Sequence, residues 1–398
     1  MTRRPLLGAV SIIAFLLLPA PASAVEPAVV VDGLAFPAGI AFGSTGTMYV
    51  SERSGRLLAF DGSGGRTVVG SVPTITAGET GLLGIAVSPD DDYVYAFATE
   101  PDNTNTIWRF AVSGGDPERV VTGLPGGTYH NGGGVAFGHD RMLYVSNGET
   151  HTTTIAQDPD VLGGKVYRYT PDGDVPGDNP FAGSPAFGLG YRNPFGLAID
   201  PVSGDPFVTE NGPESHDEIN RVVRGGNGGW PLISGPARGT DTSDLRGRYV
   251  DPILDYEDVI VPTGIAFAPP DERSGRHGGG LFFGAYAEQA IHRVTLDDTR
   301  TAAVDDEVFY RAREPIVAVA WGPRGLYFST PDSIQVIPLG AIGGNSRRAT
   351  SSPAASADDP IRAAPEQRSS SIAFVLFAVA AMILTGALVY AFGPKRRG

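Results

Sequence analysis

The chain has no cysteine, which excludes disulfides and thiol chemistry and leaves the folded part to be held by its core alone. Histidine is scarce, with 6 among 398 residues, so one set in an unusual context asks for a reason. Positive charge is also short: 30 Lys and Arg against 44 Asp and Glu leave a formal charge of −14. That balance excludes nucleic acid as a partner, because binding phosphate needs basic surface. Sustained helical periodicity is missing from residues 25–340, which excludes a helical bundle. Long apolar runs occur only near the two ends.

Those two runs set the expected organisation. Arg3 and Arg4, the run "LLGAVSIIAFLLLP" and the small residues of "PASA" have the layout of a signal peptide over residues 1–24. Residues 371–392, "SIAFVLFAVAAMILTGALVYAF", carry no charge and suffice for a membrane helix of about 20 residues. The basic tail 393–398 then marks the cytoplasmic side. Residues 341–370 are rich in Ser, Ala and Pro and read as a flexible stalk. The expectation is an exported, single-pass membrane protein whose domain, residues 25–340, faces outward.

Within that domain one pattern recurs six times. "AGIAFGSTGTMYVSERSGRLLAF", "GGVAFGHDRMLYVSNGET" and "TGIAFAPPDERSGRHGGGLFFGAY" are three of its copies. Each has a short apolar strand, a turn rich in Pro, Asp or Gly, a second strand of the type "LYVS" and a third of the type "KVYRY". Meanders repeating at roughly 45–70 residues predict an all-β, six-bladed propeller with four-stranded antiparallel blades. The unrepeated "AVVVDGLAFP" is predicted to add the outer strand that closes the ring. Loops beside each first strand then converge on one face of the axis.

Four stretches on that face go beyond the repeat: "AGETGLLGIA" with Glu79, "YHNGGG" with His130 and Asn131, "GLGYRNPFGLAID" with Arg192 and Asn193, and "TENGPESHDEIN" with Glu210, Asn211, Asp217 and Glu218. Singly each has a bland reading as a solvated loop or a surface ion pair. Jointly they offer an imidazole that can take a proton and a guanidinium that can hold negative charge developing on an oxygen. The acidic stretch, with carbonyls freed by Gly212 and Pro213, offers the oxygen ligands calcium takes, without the spacing of a twelve-residue calcium loop.

The ordered motifs "YHNGGGVAFGHDRMLYVSNGE", "LGGKVYRYTPDGDVPGDNPF", "GLGYRNPFGLAIDPVSG", "ENGPESHDEIN" and "GNGGWP" resemble the soluble glucose/sorbosone dehydrogenase family. The resemblance covers nearly all of residues 28–340. It implies pyrroloquinoline quinone (PQQ) and Ca2+ as cofactors, an aldose sugar as substrate and an external electron acceptor. It also implies that His130 is the base, oriented by Glu149 where the family usually has Asp. Glu79, Asn131, Arg192 and Asn193 are implied to contact the cofactor. The carbonyls of Gly212 and Pro213 are implied calcium ligands, with Asp217 and Glu218 near a second calcium. The glycines around His130 are expected to let the backbone pass close to a flat cofactor.

Two departures fall late in the chain. Pro315 and Val317 stand where the family has arginines that grip the cofactor's carboxylates, with Arg311 and Arg313 nearby, and a lysine is missing from "FFGAYAEQAIHRV". Rival readings are a calcium-dependent sugar lactonase using Glu79, Asn131, Asn193 and Glu210, and a non-catalytic surface-binding propeller.

Overall fold

The computed structural model describes residues 26–271 and 278–338. The expected signal peptide, stalk, membrane helix and tail lie outside the described residues. Among those that are described, no helix is long and apolar enough to cross a membrane.

The chain enters through β1 (Ala28–Val31) and then lays down antiparallel meanders. The first is β2 (Pro37–Phe42), β3 (Met48–Glu52), β4 (Arg56–Phe60) and β5 (Arg66–Ser71). The second is β6 (Leu82–Val87), β7 (Tyr93–Thr99), β8 (Thr104–Ala111) and β9 (Glu118–Pro125). The third begins with β10 (Val135–Phe137), β11 (Leu143–Asn147), β12 (Lys165–Tyr169) and β13 (Ala186–Leu189). In the fourth, β14 (Pro194–Ile199), β15 (Pro206–Glu210) and β16 (Asp217–Arg221) precede β17 (Gly226–Asn227) and β18 (Arg248–Tyr249), and β19 (Leu254–Tyr256) completes the sheet. The fifth is β20 (Pro262–Phe267), β21 (Leu281–Ala285), β22 (Ala290–Leu296) and β23 (Ala303–Arg311). The last is β24 (Val319–Gly322), β25 (Gly325–Ser329) and β26 (Ile334–Pro338), whose outer edge is taken by β1.

The result is an all-β propeller. Five of its sheets have four strands, and the third has six, which corrects the uniform four-stranded blade. The physical reason is the long connection between β16 and β19. It returns along the outer edge of β13, and β17 and β18 pair there in parallel, which satisfies backbone groups that an open edge would leave bare. Ring closure follows the sequence expectation, with Ala28 opposite Val336 and Val31 opposite Ile334.

The core lies between sheets rather than inside one. Tyr49 and Leu57 of the first blade pack on Leu82 and Val94 of the second, and the pattern continues round to Ile40 and Val50 against Ala318 and Tyr327 of the last. Each second strand is therefore sandwiched on both faces. This is why β3, β11, β15, β21 and β25 are buried throughout instead of alternating.

Two elements of the repeat set the spacing of the ring. The glycine of the "G-x-A" strand sits where a side chain would strike the next blade: a Cβ on Gly84 would lie 2.3 Å from the Gly133 carbonyl, and one on Gly196 2.4 Å from that of Thr263. The hydroxyl ending the "LYVS" strand then joins neighbours. Thr209 donates to the Thr263 carbonyl at 2.7 Å, and Ser329 donates to that of Pro37 at 2.8 Å, across the closure.

Candidate active site

On one face, the loops entering β10 and β14 meet the ends of β11 and β15. His130 occupies the left-handed region, φ 57°, a conformation an L-residue holds only when its surroundings over-determine it. They do so here. Glu79 accepts the His130 backbone N–H at 2.8 Å, and the His130 carbonyl accepts from Thr150 at 3.2 Å. Gly148 makes the close approach possible, since a Cβ there would stand 2.1 Å from that carbonyl.

The His130 ring is buried, and its Nδ1 lies 2.5 Å from Glu149 Oε1. A carboxylate there accepts a hydrogen bond from Nδ1–H and so leaves the Nε2 lone pair free. Burial, reinforced by the Arg192 guanidinium, holds the imidazole well below its ordinary value, so it is neutral at physiological pH. Burial also raises the Glu149 carboxyl, and its second oxygen, Oε2, has no hydrogen-bond partner.

Arg192 and Asn193 share an anchor. Glu210 Oε1 accepts both backbone N–H groups, at 2.5 and 2.9 Å. The Asn193 amide donates to Glu79 at 3.1 Å and accepts from the Gly132 N–H at 3.0 Å, tying the Arg192 loop to the His130 loop. The Arg192 guanidinium donates to the Asn211 and Gly212 carbonyls at 2.8 and 2.9 Å and lies 5.7 Å from the Trp230 ring centre. Burial lowers its pKa, opposed by Glu210, Glu149, Glu79 and Asp217 in turn.

Arg192, Glu210, Gly212, Glu218 and Trp230 line a cleft. Burial first, and then the Glu218 charge, push the Glu210 carboxyl up to about 8, and its Oε2 has no partner. Burial likewise pushes Glu218 up to about 7. A carboxyl whose folded value exceeds its unfolded one binds its proton better when folded. Its stabilising contribution is complete below the unfolded 4.5 and is lost as pH rises through about 8. Glu210→Gln is therefore expected to flatten the fall in stability between those limits, by at most about 5 kcal/mol. Urea unfolding of both proteins at pH 5 and pH 8 measures the difference; identical pH dependence would contradict the assignment.

The sequence-identified residues thus converge, but not all with equal access. His130, Glu149, Glu79, Arg192 and Asn193 form one connected cluster. The Asn131 amide instead closes its own loop, bonded to Gly127 N–H and C=O at 3.0 and 2.6 Å and to Asn105 at 3.1 Å. Asp217 is a loop tether: Oδ1 accepts from Gly212, and Oδ2 from Ile260 and Val261, all at 2.8 Å. Glu218 accepts from Gly235 at 2.6 Å and Asn220 at 2.8 Å. Pro213 is exposed beside Gly212, and Glu210, noted for its stretch and for the lactonase reading, faces the cleft directly. The glycines beside His130 serve blade packing rather than ligand approach: a Cβ on Gly133 or Gly134 would meet Leu83 at 2.8 Å or Leu197 at 2.5 Å.

Three neighbours had no assigned role. Trp230 stood unassigned inside "GNGGWP". Arg53 donates to the Thr80, Thr76 and Gly78 carbonyls of the Glu79 loop. Its signal was a cation following the second strand. His151 lies two residues after Glu149, its ring centre 4.0 Å from that of His130. At the last blade Val317 is buried, while Arg311 and Arg313 are exposed.

Known proteins share this architecture. A structure of the PQQ-bound aldose sugar dehydrogenase of Streptomyces coelicolor is 33% identical, with a TM-score of 0.67, and the match covers 79% of this chain and 98% of that one. Quinoprotein glucose dehydrogenase B of Acinetobacter calcoaceticus is 33% identical over 251 residues, 52% of each chain. Aldose sugar dehydrogenase YliI of Escherichia coli (strain K12) is 28% identical over 319 residues, 72% of this chain and 84% of the relative. The family model described as Glucose / Sorbosone dehydrogenase matches residues 34–336. That match runs from the approach to the first blade into the final strand, and by it the chain belongs to the glucose/sorbosone dehydrogenase family.

Proposed function

We propose that this protein oxidises an aldose sugar at the anomeric carbon to the lactone, with PQQ as hydride acceptor, Ca2+ beside it and His130 as general base. The observation that carries the reading is the buried His130–Glu149 pair, at 2.5 Å, beside a desolvated guanidinium in a chain of this family. The Streptomyces relative's bound PQQ supports the cofactor assignment.

When bound, the quinone supplies an electrophilic carbonyl carbon that takes the hydride. The chain's own residues do the rest. Glu149 fixes the imidazole in the tautomer whose Nε2 accepts the sugar hydroxyl proton, and burial keeps it neutral beforehand. Arg192 stabilises negative charge developing on an oxygen, and desolvation strengthens that effect. Glu79 works through others, by setting the His130 backbone and the Asn193 amide.

The cleft fits the implied groups on this side. Glu210 and Glu218, both raised by burial, face it with Gly212, and such oxygens suit a hard divalent ion. The Gly212 and Pro213 carbonyls would hold calcium, with Glu210 lining the same cleft as Gly212, and Asp217 and Glu218 keep the loop in shape. Arg192, Asn193 and Trp230 would hold the quinone. Pro315 and Val317 supply no charge, so these two positions would hold the cofactor's carboxylates less firmly than two arginines would. On the strength of the signal-peptide and membrane-helix patterns in the sequence, the activity is assigned to the outer face of a membrane, with electrons leaving to an external acceptor.

The test is to titrate the purified full-length chain with PQQ and calcium, following the quinone absorbance, and then to add aldoses with a dye acceptor. Stoichiometric binding and aldose-dependent dye reduction are expected. No bound quinone at concentrations on the order of 10 μM sinks the proposal.

A further inference from the structure

We propose that His130, Glu149 and His151 form a binding site for a borderline transition-metal ion of the Zn2+ or Cu2+ class, and that its occupation withdraws His130 from proton transfer. One ligand atom from each of the three residues lies within 4.8 Å of the others. Two imidazoles and one carboxylate are a donor set that selects such ions over Ca2+ and Mg2+, which prefer oxygen. Three protein ligands leave a fourth position for water or substrate, the arrangement of open zinc sites.

A second observation points to a ligand independently of this proximity. Glu149 is 1% exposed, its Oε1 faces the His130 ring, and its Oε2 has no partner. A buried carboxylate oxygen without a hydrogen-bond donor stays under-solvated even with the Arg192 charge nearby, and a coordinated cation relieves it. His151 supplies the entrance. It is exposed, it stands at φ 65° next to Thr150 at φ 48°, and its ring lies over that of His130 at 37°. Two successive left-handed residues turn the chain back on itself, which brings the exposed imidazole over the buried one. Ligands around a tetrahedral zinc are about 3.4 Å apart, so closing the cluster needs a modest shift, which an exposed loop residue can make. Coordination consumes an imidazole lone pair or displaces the Glu149 bond. Either event removes the neutral, oriented base.

The inhibitory half of this proposal rests on the dehydrogenase reading; the binding half does not. The full-length chain, without PQQ or calcium, is dialysed against Zn2+ and its zinc content measured, and Co2+ is used in parallel for its visible spectrum. Expected are one metal per chain, retention against excess Ca2+ and Mg2+, and an affinity lower by about 10–100-fold in His151→Ala. Because His151 is exposed, this variant tests the site without emptying the core. Absence of bound zinc, or equal binding by His151→Ala, overturns the site. Loss of the zinc in His216→Ala instead, whose imidazole lies 2.7 Å from Asp255, would also overturn it. In the PQQ-loaded enzyme, zinc should suppress sugar oxidation, a chelator should restore it, and His151→Ala should resist it relative to its own metal-free rate. Bound zinc with undiminished oxidation rejects the inhibitory half. A metal-free chain that oxidises no sugar rejects the dehydrogenase reading while the zinc measurement still stands.

Discussion

Replacing His130 with alanine is expected to lower sugar oxidation by about 10²–10⁴-fold, the usual contribution of a positioned general base, while PQQ stays bound. Three properties put this residue ahead of the other histidines. It is neutral because burial and Arg192 disfavour the imidazolium. Its tautomer is fixed by Glu149 at 2.5 Å. Its backbone is pinned by Glu79, so ring and main chain are both held before substrate arrives. Alanine also strips Glu149 Oε1 of its partner when Oε2 already has none, so some loss of stability accompanies the loss of rate. His130→Asn keeps an amide near Glu149 and separates the two effects. Quinone absorbance reports occupancy, and saturating turnover reports the chemistry. Turnover within tenfold of wild type in a fully loaded variant would reject the base assignment.

Arg192→Met is expected to be the most destabilising substitution on this face, at about 3–5 kcal/mol, the usual cost of removing one partner from buried charges. The guanidinium offsets Glu210, Glu149, Glu79 and Asp217 together, and it also binds two carbonyls. Methionine matches its length and none of its charge. At pH 9, above the Glu210 value of about 8, adding Glu210→Gln should recover part of the loss, because one of the stranded carboxylates then becomes neutral. Urea unfolding of the two single variants and the double variant gives the coupling directly. Additive losses would mean that Arg192 acts through packing on Trp230 rather than through charge.

Much of this arrangement could be read from the sequence, for identifiable reasons. The ring of sheets was legible because every repeat spends a small residue and often a hydroxyl on its neighbour, and those positions recur in register: Gly39, Gly84, Gly134, Gly196 and Gly264, with Ala318 last. Convergence of His130, Glu149, Arg192 and Asn193 followed from strand ends sharing one face. The widened third sheet was not legible, since β17 and β18 are two residues each and no periodicity fits in so short a span. Nor was the difference between Asp217 and Glu210. Both are acids in one stretch, but Ile260 and Val261, over forty positions away, consume Asp217, and nothing consumes Glu210 Oε2. The glycines after His130 suggest a backbone passing close to a cofactor, but Gly132 makes way for the Ser146–Gly148 backbone, Gly133 for Leu83 and Gly134 for Leu197.

The pairing of β1 with β26 means that the propeller has no free terminus in the mechanical sense. The first and last described strands are clasped in one sheet, like the two ends of a belt. A pull on either end is borne by that clasp before any inner blade feels it. Removing residues 28–31 would therefore do more than trim a tail: it would strip the last blade of its outer strand and leave the seam to the packing of Ile40 and Val50 on Ala318 and Tyr327 and to the Ser329 bond to Pro37. The loops on its upper face, which come from different blades, would then lose the fixed circumference that holds His130 and Arg192 at their working distance.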